Sequence, residues 1–206
     1  MPHGLSSKLT LIADGFPFHD KRVPKKLSGW PLCVILTGLG DFRTRFWVKE
    51  KHIRIRIEQC LALAKASNCP RRTFGALLLD PERNVVLMDG YNGGPRGGGK
   101  LCGGEECLRE TLGVQSGTRM EIGCHHAEMN VICNAAANGV RTRGAWLIVT
   151  GEPCMMCAKL IHHSGITRVL VVDGGYAGAN GCDYLESHKV EVMRLEGPQD
   201  PRIGSS

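Results

Sequence analysis

His126-Ala127-Glu128 and Pro153-Cys154-Met155-Met156-Cys157 are the two segments on which the reading of this chain turns. Each opens a stretch patterned as a helix, 126–138 ended by Gly139 and 154–164 ended by Gly165. Cys154 and Cys157 are three positions apart, so on a helix their thiolates share a face and can grip one ion. His126 supplies a third ligand from the start of the facing helix. Three protein ligands leave the fourth tetrahedral position to water, the pattern of catalytic rather than structural zinc. Two helix N-termini aimed at the site favour thiolates and a bound hydroxide, and zinc brings its water to a pKa of about 7. Glu128 lies two positions after His126, roughly 200° round an ideal helix. It is poorly placed as a fourth ligand and well suited to shuttling protons between that water and a substrate.

Working outward, 145–150 reads as a strand between the two helices, and 169–173 as another after the second. Upstream, 73–79 and 85–89 read as a hairpin about a turn at 80–84, and a helix begins at Phe46 with Ile53, Ile57, Cys60, Leu61 and Ala64 on one stripe. Downstream, Gly174-Gly175 marks a turn, 183–188 a short helix and 190–195 a last strand. This order predicts an α/β fold with a mixed five-stranded sheet covered by helices. Residues 1–45 carry frequent Gly and Pro and read as an extension with little regular structure. The domain proper is expected over 46–197, with a short tail at 198–206. A glycine- and cysteine-bearing insertion, 92–123, is too long for an ordinary loop.

At 206 residues, 42% hydrophobic and 22% charged, the chain has the composition of a globular domain with a sizeable core. Net charge is +6. Residues 1–45 hold seven Lys/Arg against three Asp, leaving a near-neutral body without the basic face of a nucleic-acid binder. No apolar run approaches the roughly 20 residues of a membrane span. The longest, 31–39, starts too far in for a signal peptide, so a cytoplasmic protein is expected. Ten cysteines without a secretory signal, two groups of them beside histidines, point to metal rather than disulfides. Cys60 and Cys133 fall on apolar helical stripes, and His162 and His163 sit where a helix end favours a cation.

H-x-E followed by P-C-x-x-C is the signature of the zinc deaminases that act on nucleobases. The stretches SNCPRRTFGALLLD, GYNGGPRGG, CLRETLGVQSG, HAEMNVICNAAANG and PCMMCAKLIHHSGITRVLVV extend the likeness. With them the chain resembles the cytidine deaminase superfamily, most closely the deoxycytidylate (dCMP) deaminases and their bacterial competence-operon relatives, over slightly more than half its length. The resemblance implies a three-layer α-β-α cytidine deaminase-like fold, zinc on His126, Cys154 and Cys157, and Glu128 as acid and base. It implies hydrolysis of dCMP to dUMP and ammonia, supplying thymidylate synthesis. It also implies a homo-oligomer, commonly a hexamer, with dCTP and dTTP as effectors and Mg2+ accompanying those nucleotides. Asn92 would face the nucleotide, though a turn asparagine with a left-handed backbone is a rival reading. Tyr176 would stack beside the base, against simple packing after the Gly-Gly turn.

A nucleotide substrate needs a phosphate partner, for which Arg71, Arg72 and Arg96 are candidates, each otherwise a surface charge. Cys102, Cys107, Cys124 and His125 form an accepted structural-zinc set. A metal there would order the insertion without a core; the alternative is reduced cysteines packed as small apolar groups. A tRNA adenosine deaminase, or another polynucleotide or nucleoside deaminase, is the competing activity, since PCMMCAKLIHHSGI resembles those enzymes too.

Overall fold

The computed structural model describes residues 48–97, 105–115, 118, 122–172 and 181–195. The chain divides into two units, Met1–Cys33 and Val34–Ser206. The first lies outside the described residues, as do the rest of the expected extension and the 198–206 tail.

Strands β1 (Gly75–Asp80), β2 (Val85–Tyr91), β3 (Trp146–Val149), β4 (Arg168–Val172) and β5 (Glu191–Leu195) form one sheet in the order β2-β1-β3-β4-β5. β1 runs antiparallel to both β2 and β3, whereas β3, β4 and β5 are mutually parallel. The mixed five-stranded sheet expected from the sequence is therefore present. Asp80 fixes the hairpin turn, its Oδ1 accepting from the backbone N–H groups of Glu82 and Arg83 at 2.9 and 3.1 Å.

β1, β3 and β4 are near-continuous apolar runs because both of their faces are covered. Their side chains alternate between two cores with the period of two that a strand imposes. Ala76, Leu78, Leu147, Val149, Val169 and Val171 face one layer of helices: α3 (Ala127–Ala137), α4 (Met155–His163) and α5 (Gly181–Ser187). Leu77, Leu79, Trp146, Ile148, Leu170 and Val172 face the opposite side, where α1 (Glu50–Ala64) contributes Ile53, Cys60 and Leu61. The result is the three-layer α-β-α arrangement.

α1 starts at Glu50 rather than Phe46, which lies outside the described residues, and it uses the stripe expected of it. Cys133 does not join the core of α3: Val131 and Ala135 are buried while Cys133 is exposed, being on the far side of the helix. The sequence pattern gave no sign of α2 (Leu108–Thr111), a single turn inside the cysteine-bearing segment. No described helix is long and apolar enough to cross a membrane.

Candidate metal centre and active-site cleft

Because β1 is antiparallel to its two neighbours, the start of β1 and the ends of β2 and β3 lie at one end of the sheet. α3 and α4 also begin there. His126 is the residue before α3 and Cys154 the residue before α4, each with an extended backbone (φ −73°, ψ 154° and φ −69°, ψ 166°). Both are helix N-caps, not members of a helical face. The Cys154 sulfur accepts from the Cys157 N–H at 3.5 Å. The C-x-x-C spacing is thus the N-cap-to-N3 relation, and the cap brings the two sulfurs together. His126 is pinned from the other side by a short bridge in which Gly93 and His125 exchange backbone bonds of 3.1 and 2.8 Å.

His126 Nδ1 lies 3.5 Å from the sulfurs of both Cys154 and Cys157. Among the described residues this is the one His/Cys/Asp/Glu trio whose ligand atoms lie within 4.8 Å of one another. Tetrahedral zinc with ordinary Zn–S and Zn–N bonds requires an N···S separation of about 3.6 Å, so the three side chains fit that ion. Their electrostatics fit as well. The Cys154 thiol is drawn down to about 4, first by its hydrogen bond with Cys157 and then by His126, with burial opposing. Cys157 is pushed up, chiefly by that same bond, so one proton is shared between the two sulfurs. His126 is raised to about 9, first by its bond to Cys154 and then by the charge of Glu128, while burial and the positive charge of Arg109 oppose. A thiolate, a second thiol and a histidine that each give up any remaining proton to a metal form a donor set that favours a soft cation.

Glu128 stands in the first turn of α3 with 5% of its surface exposed. Burial, before any other cause, pushes its carboxyl above the usual range, with the His126 charge opposing. It lines an open cleft together with His126, Cys154, Phe74, Asn92 and Val149. Asn92 is buried, and its amide brackets the strand start: Oδ1 accepts from Phe74 N at 2.7 Å and Nδ2 donates to the Arg72 carbonyl at 2.8 Å. Asn84 and Lys189 are the non-glycine residues of positive φ among those described, so Asn92 is not a left-handed turn residue.

Arg71 and Arg72 line the cleft, Arg71 also pairing with Glu110 at 3.1 Å. Arg96 does not: it is exposed and donates to Asn134 Oδ1 at 2.5 Å. Of the expected second metal set, Cys102 lies outside the described residues, as does Tyr176. Cys107 is buried and lines the cleft beside Cys124, whereas His125 is exposed and absent from the lining. Cys69 comes to Cys124 instead, sulfur to sulfur at 3.9 Å, and its thiol is drawn down to about 5, first by that bond. Sequence reasoning passed over Cys69, although its neighbours Asn68 and Pro70 marked the loop it sits on. Glu152, also unforeseen, lines the cleft and pairs with Arg194 at 3.0 Å.

The family model for the cytidine and deoxycytidylate deaminase zinc-binding region matches residues 50–173. The chain belongs to this family. ComE operon protein 2 of Bacillus subtilis (strain 168) is 38% identical over 134 residues, which is 65% of this chain and 66% of that protein. A probable deoxycytidylate deaminase of Drosophila melanogaster is 35% identical over 122 residues, 57% of each chain. The chain thus spans less than two thirds of the length of these curated relatives. The dCMP deaminase of cyanophage S-TIM5, solved in complex with dCMP and dUMP, superposes with a TM-score of 0.61 at 26% identity, covering 72% of this chain and 99% of that one. The zinc-binding description of the family fits the trio of candidate ligands.

Proposed function

We propose that this chain hydrolyses dCMP to dUMP and ammonia. The reading is carried by one observation: the zinc-compatible trio His126, Cys154 and Cys157 opens onto the same cleft as buried Glu128. Zinc held there supplies a Lewis acid that makes water nucleophilic at neutral pH. Glu128 takes a proton from the attacking water on its carboxylate. It then delivers protons to ring N3 and to the departing amine at C4, so water is consumed, a carbonyl forms and ammonia leaves. Burial keeps that carboxyl from exchanging protons with bulk solvent. Asn92 has one N–H and one lone pair beyond its two backbone bonds, enough to orient a nucleotide in the cleft. Arg71 and Arg72 offer guanidinium groups to a phosphate; the exposed position of Arg96 gives it no such part.

The similarity to a deaminase solved with dCMP and dUMP supports this choice of substrate. A second, structural zinc is part of the proposal. Two thiolates on tetrahedral zinc stand about 3.8 Å apart, and Cys69 and Cys124 stand at 3.9 Å. Cys69 and Cys124 are the pair we assign to it, Cys69 replacing the exposed His125; Cys107 completes no trio with them within 4.8 Å, and Cys102 lies outside the described residues. Tyr176 keeps its proposed place beside the base, and oligomerisation and control by dCTP and dTTP belong to the same reading.

Purified protein, incubated separately with dCMP, CMP, deoxycytidine and cytosine and followed by ammonia release, tests the assignment. Turnover is expected on dCMP above the rest. No turnover of any 5′-monophosphate would remove it.

A further inference from the structure

We infer that Arg109, on the short helix α2 inside the cysteine-bearing segment, recognises the 5′-phosphate of the substrate. The inference rests on the proposed dCMP reaction. Arg109 lines the same cleft as His126, Glu128 and Cys154, together with Cys107 and Cys124. Its side chain is held from outside the cleft. Nη2 donates to the carbonyls of Gln115 and Thr118 at 2.8 and 3.3 Å. Its stem passes under Gly123, where even a Cβ would come within 3.0 Å of Cδ. The guanidinium therefore has a set direction before any ligand arrives.

What the protein does not supply is an acceptor for Nε, which is buried and has no hydrogen-bond partner. A buried N–H in that condition calls for a ligand oxygen. No ion pair of the described residues includes Arg109; the neighbouring carboxylate, Glu110, is taken by Arg71, and Glu152 across the cleft is taken by Arg194. With Nη2 taken by the Gln115 and Thr118 carbonyls, Nε is the donor left for a phosphate oxygen, and the guanidinium charge strengthens that bond. With Arg71 and Arg72 on the same cleft, three arginines meet a group of nearly two negative charges. The cysteine-bearing segment thereby becomes a specificity element: it carries Arg109 to the substrate and separates nucleotides from nucleosides.

Steady-state kinetics on dCMP and on deoxycytidine, for the wild-type chain and for Arg109→Gln and Arg109→Lys, test this. Loss of one charge-assisted hydrogen bond costs about 10- to 150-fold in affinity. The ratio of kcat/KM for dCMP to that for deoxycytidine should fall at least tenfold in Arg109→Gln, mainly through KM for dCMP. Arg109→Lys, which keeps the charge and loses the Nε donor, should fall between. Inorganic phosphate should compete with dCMP in the wild type and lose that effect in Arg109→Gln. A ratio unchanged within twofold, or an equal loss on both substrates, overturns the role of Arg109 while leaving the reaction standing. A wild-type chain without dCMP turnover overturns the reaction and this inference with it. Zinc content and melting temperature show whether Arg109→Gln remains folded, and Arg109→Lys decides alone if it does not.

Discussion

At the scale of single residues, the site depends on two groups that stand just outside helices. His126 and Cys154 are N-caps with extended backbones. The ideal-helix argument that places Glu128 about 200° from His126 therefore rests on a geometry the molecule does not use. His126 leaves the helix and Glu128 turns inward with it. Since Glu128 binds no metal in this scheme, Glu128→Gln should retain its zinc and its melting temperature. It should lose about 10²–10⁴-fold in kcat, the usual worth of a positioned acid-base group. Zinc analysis beside an ammonia assay measures both. Loss of the metal would mean that Glu128 is a ligand.

At the scale of elements, the sheet end collects the site because α3 lies unusually close to β2. A Cβ on Gly90 would fall 2.7 Å from Val131 N and 2.9 Å from Ala127 O, both backbone atoms of α3. Neither can swing aside. Gly90→Ala should cost about 1–3 kcal/mol by overpacking, read as a fall of several degrees in melting temperature. An unchanged melting temperature would show that α3 can move off the sheet freely. Polar ties hold the same seam: Asn130 and Asn134 donate to the carbonyls of Tyr91 and Asp89 at 2.7 and 3.1 Å. These ties were not legible in the sequence, where the two asparagines interrupt an apolar helix without visible purpose. The strands were legible, since alternation between two buried faces leaves continuous apolar runs in 76–79, 146–149 and 169–172. α2 was not, because one helical turn carries no period.

For the whole molecule, the prediction concerns the second zinc proposed beside the cysteine-bearing segment. If Cys69 and Cys124 hold the second zinc, the wild-type protein carries two zinc ions per chain and Cys69→Ser carries one. The variant should also melt at lower temperature, because binding energy at a structural site is folding energy. Metal analysis and thermal unfolding, with and without a chelator, check this. Two zinc ions per chain in Cys69→Ser would return the fourth position to another ligand.

The sequence by itself determined the candidate chemistry: the residue types of the His126, Cys154 and Cys157 trio and their order, the carboxylate of Glu128 beside them, and a strand pattern with one arrangement of layers. These are local properties, readable from spacing and period. Only the tertiary structure decided who else reaches the cleft. Cys69 meets Cys124 across 55 residues, Arg109 lines the same cleft as His126, and Arg96 turns to Asn134. Each of these depends on how loops from separate strands end at the same edge of the sheet, and no local period encodes that.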